Sequence, residues 1–135
     1  MNDMVIIDAS VLLTAIIGNN KNAEEQLKTI LHNKTRSPSV LPFTATEFTN
    51  GVRFSTRDKA LAKQALNRFI TIGLPILLIA PSDLHAIIDL SYRLGTTVYD
   101  TAYHYMAIMH DGTFITCDRN YQKKASTLGH IELWG

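Results

Sequence analysis

Four acidic side chains of this sequence, Asp8, Glu47, Asp100 and Asp118, lie among apolar neighbours, where a carboxylate needs a reason to be. Asp8 ends the β-branched run Val5-Ile6-Ile7, and Asp118 ends Phe114-Ile115-Thr116-Cys117. Each is followed by the polar start of a helix. Two strands of one sheet that both deliver an aspartate to its carboxyl edge put those groups where open α/β sheets carry their sites. Two carboxylates ~4 Å apart repel by about 4 kcal/mol at an effective dielectric of 20. A cluster of three or four therefore calls for a neutralising cation or for partial protonation. Oxygen ligands alone, with no Cys or His set at ligand spacing, select a hard divalent ion such as Mg²⁺ or Mn²⁺. The chemistry such a centre performs is metal-assisted hydrolysis of a phosphodiester.

Each residue also has a structural use. Asp8 and Asp118 can cap the helices that follow them. Thr44-Ala45-Thr46-Glu47 matches a capping box, so Glu47 can be a cap or a member of the site. Asp100 falls near a helix start, where the macrodipole favours an anion. Glu24, Glu25, Asp58, Asp83, Asp89 and Glu132 read as capping or solvent-facing groups. His104 is one helical turn beyond Asp100 and shares its face, as a packed histidine or as a ligand or proton shuttle. Basic residues gather at Arg53, Arg57, Lys59, Lys63 and Arg68, and again at Arg119, Lys123 and Lys124. They are solvated helix faces or a rim that tracks phosphates; Arg119, adjoining Asp118, is the best single candidate for contact with RNA. Tyr99, Tyr103 and Tyr105 can stack on bases or serve as core and dimer contacts.

The elements that must position these groups alternate along the chain. Val5 to Ile7 is a strand, Val11 to Ile17 a helix stopped at Gly18, and a second helix starts near Asn22 with Ala23, Leu27, Ile30 and Leu31 on one face. A short strand over Arg36 to Val40 precedes a helix opened by Leu41-Pro42 that carries Glu47 to about Phe54. Ser55-Thr56-Arg57-Asp58 has the form of a capping box for a helix ending at Gly73, with Leu61, Ala65 and Phe69 stacked along it. Ile76 to Ile79, with no polar residue, reads as a strand. Pro81-Ser82-Asp83 starts a helix with Leu84, Ile87, Ile88 and Ser91 facing in, and Val98 to Met109 is another, with Val98, Ala102, Met106 and Met109 inward. The strand to Asp118, a helix from Arg119 to about Leu128 and a strand over Ile131 to Trp134 follow. Five short strands separated by helices make an α/β sandwich with a mainly parallel sheet, in one domain over residues 1–135.

Composition narrows the partners. A chain of 135 residues, 46% hydrophobic and 19% charged, with a formal charge of +1, is not built to coat nucleic acid by bulk electrostatics. The single Cys117 cannot form an internal disulfide, the N-terminus has no secretory signal pattern, and no apolar run reaches the ~18 residues of a membrane span. A cytoplasmic protein with no membrane partner is expected.

Four short stretches resemble the PIN-domain family, and more narrowly its VapC-type toxins of toxin–antitoxin pairs. They are Ile7-Asp8-Ala9-Ser10; Glu47 within Pro42-Phe43-Thr44-Ala45-Thr46-Glu47-Phe48; Val98-Tyr99-Asp100-Thr101-Ala102-Tyr103; and Ile115-Thr116-Cys117-Asp118-Arg119. Each is short, and their order, spacing and the total length carry the match. The resemblance implies a three-layer sandwich with a five-stranded sheet of order 3-2-1-4-5, which sets Asp8 beside Asp118. It implies an acidic quartet of Asp8, Glu47, Asp100 and Asp118, with Asp8, Asp100 and Asp118 on an Mg²⁺ or Mn²⁺ ion and Ser10 and Thr116 as supporting hydroxyls. The implied activity is that of an endoribonuclease, a homodimer neutralised by a cognate antitoxin whose Arg-bearing tail crosses the acidic pocket. The Glu24–Leu31 and Pro42–Phe54 helices would flank that tail. Thr46 and Phe48 depart from the smaller or aliphatic residues usual beside Glu47, which bears on pocket shape. Two rivals stand against this reading. A phosphoacceptor or phosphatase domain would want paired acids after the first strand, where this chain has Ala9-Ser10. A non-catalytic module would use the same pocket to bind RNA or a partner's tail.

Overall fold

The computed structural model describes residues 3–135. Four parallel strands, β1 (Asp3–Ile7), β2 (Arg36–Ser39), β3 (Thr113–Thr116) and β4 (Ile131–Leu133), lie in the order β2-β1-β3-β4. Seven helices connect them: α1 (Ala9–Ile16), α2 (Lys21–His32), α3 (Thr44–Ser55), α4 (Lys59–Ile72), α5 (Pro81–Leu94), α6 (Val98–Met109) and α7 (Arg119–Ala125). A turn of 3₁₀ helix, Ser126–Leu128, extends α7.

Successive residues of a strand face opposite sides of its sheet, and β1 uses both sides for core. Val5 and Ile7 pack with Ile115 against α1, α2, α3 and α4. Ile6 packs with Phe114 against α5, α6 and α7. All five of these side chains have no exposed surface. The result is the expected three-layer α/β sandwich with a parallel central sheet.

The expected fifth strand is reduced to one bridge. Val40 pairs with Ile76 alone: Val40 N–H donates to Pro75 O at 2.9 Å, and Leu77 N–H donates to Val40 O at 2.8 Å. Just past Val40 the chain turns at Leu41-Pro42, so nothing remains for Leu77 to Ile79 to pair with. Ile76 and Leu78 are accordingly 59% and 75% exposed. The bridge still lies outside β2, which matches the outermost position of the order 3-2-1-4-5 when the strands are numbered as five.

Other differences are local. The helix of Glu47 begins at Thr44, after the turn that Leu41-Pro42 makes. The cap of α4 is Asp58, which accepts from Ala60 N–H and Leu61 N–H, while Ser55 stays in α3 and donates to Gly51 O. Leu61, Leu84, Ile88, Val98 and Met109 are exposed, where inward positions were expected. Helical periodicity fixes that one face is buried but not its centre when apolar residues ring the helix. In α6 the buried face is Thr101, Ala102, Tyr103, His104, Met106 and Ala107. Among the described residues, no helix is long and apolar enough to cross a membrane.

Candidate functional site

β1 and β3 are neighbours, and the connections leave them in opposite directions, so the topological switch point lies at their carboxyl ends. A cavity of about 330 Å³ opens there, lined by Asp8, Ala9, Ser10, Leu13, Glu47, Asn50, Gly51, Asp100, Tyr103 and Asp118. All four carboxylates singled out in the sequence line it, and no residue of its lining is basic.

Each acid is delivered by the start of a different helix. Asp8 is the N-cap of α1, and Asp118 is the N-cap of α7, accepting from Tyr121 N–H at 3.0 Å. Asp100 lies in the first turn of α6 behind its N-cap Thr97, and Glu47 in the first turn of α3. Asp8 and Asp118 are therefore caps, as one reading of the sequence has it, and they also line the shared cavity. Four helix N-termini facing one cavity make an environment in which negative charge is less costly than burial alone would make it.

Asp8 is 5% exposed and the most tightly held of the four. Its Oδ1 accepts from Ser10 Oγ–H at 2.5 Å and from Val11 N–H at 3.1 Å, and its Oδ2 accepts from Thr116 Oγ1–H at 2.6 Å. The same two hydroxyls accept in turn: Cys117 N–H donates to Ser10 Oγ and Asp118 N–H to Thr116 Oγ1, both at 3.0 Å. Ser10 and Thr116 thus lock the segment after β3 onto the aspartate after β1. Burial pushes the Asp8 carboxyl up from 3.8 to about 6, against the pull of these hydrogen bonds, and the charge of Asp100 adds to the rise. Burial likewise raises Asp100, with Asp118 as the charge acting on it, and raises Glu47, with Asp100 as the charge.

Of the two roles open to Glu47, the capping box does not form. Thr44 Oγ1 accepts from Leu41 N–H at 3.0 Å, and the N-cap of α3, Phe43, makes no side-chain cap. Glu47 Oε1 accepts instead from the hydroxyl of Tyr103, at 2.8 Å. Sequence reasoning treated Tyr103 as core, base-stacking or dimer contact and missed its place in this site. The signal was available, because Tyr103 is three residues beyond Asp100 and so shares its helix face. Asn50 and Gly51, also in the lining, follow Glu47 by three and four residues on α3 in the same way.

His104 turns the other way. It is fully buried, and because Gly129 O can only accept, Nε2 carries the proton and donates to it at 2.7 Å. Nδ1 then accepts from Tyr121 O–H at 2.9 Å. Burial lowers the histidine's affinity for a proton, so it stays neutral behind the cavity as a packed group. Arg119 is exposed beside Asp118 and does not line the cavity.

The donor set fits a hard divalent ion in chemistry: carboxylate oxygens, no thiolate or imidazole, and no internal cation to neutralise them. Among the described residues, however, no three such groups converge closely enough to enclose an ion as they stand.

Residues 5–126 match the family model of the PIN domain. No curated protein matches the sequence. The fold is similar to that of PAE2754 from Pyrobaculum aerophilum (25% identity, 96% of this chain and 83% of that chain, TM-score 0.69). It is similar as well to VapBC2 from Rickettsia felis, solved with a DNA fragment from its promoter (15% identity, 98% and 99%, TM-score 0.73). A third is a toxin–antitoxin complex from Klebsiella pneumoniae (14% identity, 95% of each chain, TM-score 0.70). With a sheet that brings its acids to one switch point, and a family match over most of its length, the chain belongs to the PIN-domain family.

Proposed function

We propose that the chain is a divalent-metal-dependent endoribonuclease, the VapC-like toxin of a toxin–antitoxin pair, acting as a single cytoplasmic domain. The observation that supports this reading most is the cavity lined by four carboxylates and no basic residue. Asp8, Asp100 and Asp118 would hold Mg²⁺ or Mn²⁺, and a bound ion would lower the pKa of water and offset charge on a phosphodiester. Ser10 and Thr116 orient Asp8 through the bonds described above. Glu47, whose affinity for a proton is raised by burial, is the group suited to take a proton from the attacking water. Arg119 and, beyond it, Lys123 and Lys124 supply positive charge for the RNA backbone.

The similar folds in the Rickettsia and Klebsiella complexes support an antitoxin as partner. In this chain an acidic cavity in a near-neutral protein suits a basic tail bearing Arg, running between α2 and α3, and a homodimer is the expected assembly. Incubating the purified protein with structured RNA tests the enzyme. Cleavage that needs Mg²⁺ or Mn²⁺, stops on chelation and disappears in Asp8→Asn and Asp118→Asn supports the reading; wild-type rates in either variant refute it.

One observation favours a second reading, a non-catalytic module whose cavity holds RNA or a partner's tail: the four acids do not converge into a closed ligand set. Binding of such a tail without cleavage under any divalent ion would decide for it.

A further inference from the structure

Tyr103 is one of the largest fully enclosed side chains of the molecule, yet its hydroxyl reaches the acidic cavity. Its ring stacks on Phe114 of β3 at 5.5 Å between centroids and 9° between planes, and meets the edge of Phe43 at 5.3 Å. Two oxygens meet the phenol: Glu47 Oε1 at 2.8 Å and Thr44 Oγ1 at 2.7 Å. An ionised Glu47 can only accept, so the phenol proton is donated to it. The Thr44 hydroxyl then donates to the phenol oxygen, while its own oxygen accepts from Leu41 N–H at 3.0 Å. Every member of this chain has its direction fixed. It starts from a backbone N–H and ends on a cavity carboxylate.

We propose that Tyr103 is a positioning residue for the reaction at this cavity. Its phenol, held by Thr44 and by aromatic packing on two sides, pins Glu47 Oε1 and so fixes how Glu47 presents Oε2. Glu47 needs such a restraint. It stands in the first turn of a helix that has no side-chain cap, on a flexible stem, among like charges. Asp8, by contrast, is fixed by three donors of its own. The phenol serves as a fixed donor only, because burial and the charge of Glu47 raise it well above its ordinary value and keep it protonated.

The proposal rests on the nuclease reading for its kinetic arm but not for its structural arm. Tyr103→Phe keeps the ring contacts and removes one oxygen. With RNA as substrate, kcat should fall about 10- to 100-fold, the range for losing a hydrogen bond to a charged group, with KM little changed. An unchanged kcat, or an effect on KM alone, overturns the proposal. The chain has four glutamates, so protein ¹³C-labelled at the glutamate carboxyls gives four signals, and Glu47→Gln identifies one. Tyr103→Phe should move that signal and leave the other three in place. A Glu47 signal that does not move overturns the proposal even if no variant, and not the wild type either, cleaves RNA. Thr44→Val, which removes the hydroxyl behind the phenol, provides a second variant: it should move the same signal less, and the absence of any movement in both variants is decisive against it.

Discussion

Replacing Asp8 by Asn should make the metal-free protein more stable, and by an amount that depends on pH. The folded chain raises the Asp8 carboxyl from 3.8 to about 6, chiefly by burial. Between those two values the folded state keeps a proton that the unfolded state has released. Stability from this group is thus fully present below 3.8 and is lost as pH rises through about 6. At about 1.36 kcal/mol per pH unit, the interval amounts to about 3 kcal/mol of destabilisation at pH 7.5. Asn keeps an acceptor for Ser10 Oγ–H and Val11 N–H but cannot accept from Thr116 Oγ1–H at the other atom, a loss of about 1 kcal/mol. The net gain at pH 7.5 is about 2 kcal/mol, or about 6–8 °C in Tm for a domain of this size. At pH 3.5 the gain should vanish and turn into a loss of about 1 kcal/mol, since only the hydrogen-bond term is left. Thermal and urea unfolding of both proteins in chelator, from pH 3.5 to 8, measures this directly. An Asn variant no more stable than wild type at pH 7.5, or a difference that does not change with pH, refutes the argument.

Four further outcomes follow from the same geometry. Asp118→Asn should preserve the cap on Tyr121 N–H and the melting temperature, whereas Asp118→Ala should lose about 1 kcal/mol in chemical denaturation; both should lose Mg²⁺-dependent cleavage. Glu47→Gln should lose cleavage with Tm unchanged in a thermal melt, because Glu47 makes no cap and Gln can still accept from Tyr103. Gly51→Ala sets a Cβ 2.5 Å from Leu13 Cδ1, so Leu13 must shift within the cavity lining; RNA cleavage assays should show a raised KM with a stability change under about 1 kcal/mol. In a binding titration, rising Mg²⁺ should weaken an Arg-bearing antitoxin segment, because both ligands draw on Asp8, Asp100 and Asp118.

The strands that matter most to the cavity were legible because they are bounded by chemistry: Val5-Ile6-Ile7 and Phe114-Ile115-Thr116 are apolar runs that stop at a carboxylate, and both are strands. Ile76 to Ile79 is equally apolar, yet its fate depends on whether β2 extends far enough to pair with it, a tertiary fact that no local pattern records. Glu47 shows the same limit at the site. Thr44-x-x-Glu47 is a valid capping pattern, but it lost to Tyr103, fifty-six residues away, which offers Glu47 a donor already held in place. Tyr103 itself was hidden by its type, because an aromatic on a mostly apolar helix face reads as core, and its ring is core. Only its last atom belongs to the site.

The hydroxyl lock around Asp8 has a consequence for synthesis. Its two halves, Ser10 and Thr116, stand 106 positions apart in the chain, and β1 meets β3 only after α1 to α6 have been made. A chain growing from its N-terminus can pair β1 with β2 early, but Asp8 then lacks Thr116, and the cavity lacks Asp100 and Asp118. Any product cut short before β3 lacks Thr116 and Asp118 in the same way. The cavity is therefore completed only once β3 and the start of α7 have been made, and a shorter chain holds its first aspartate without β3 beside it.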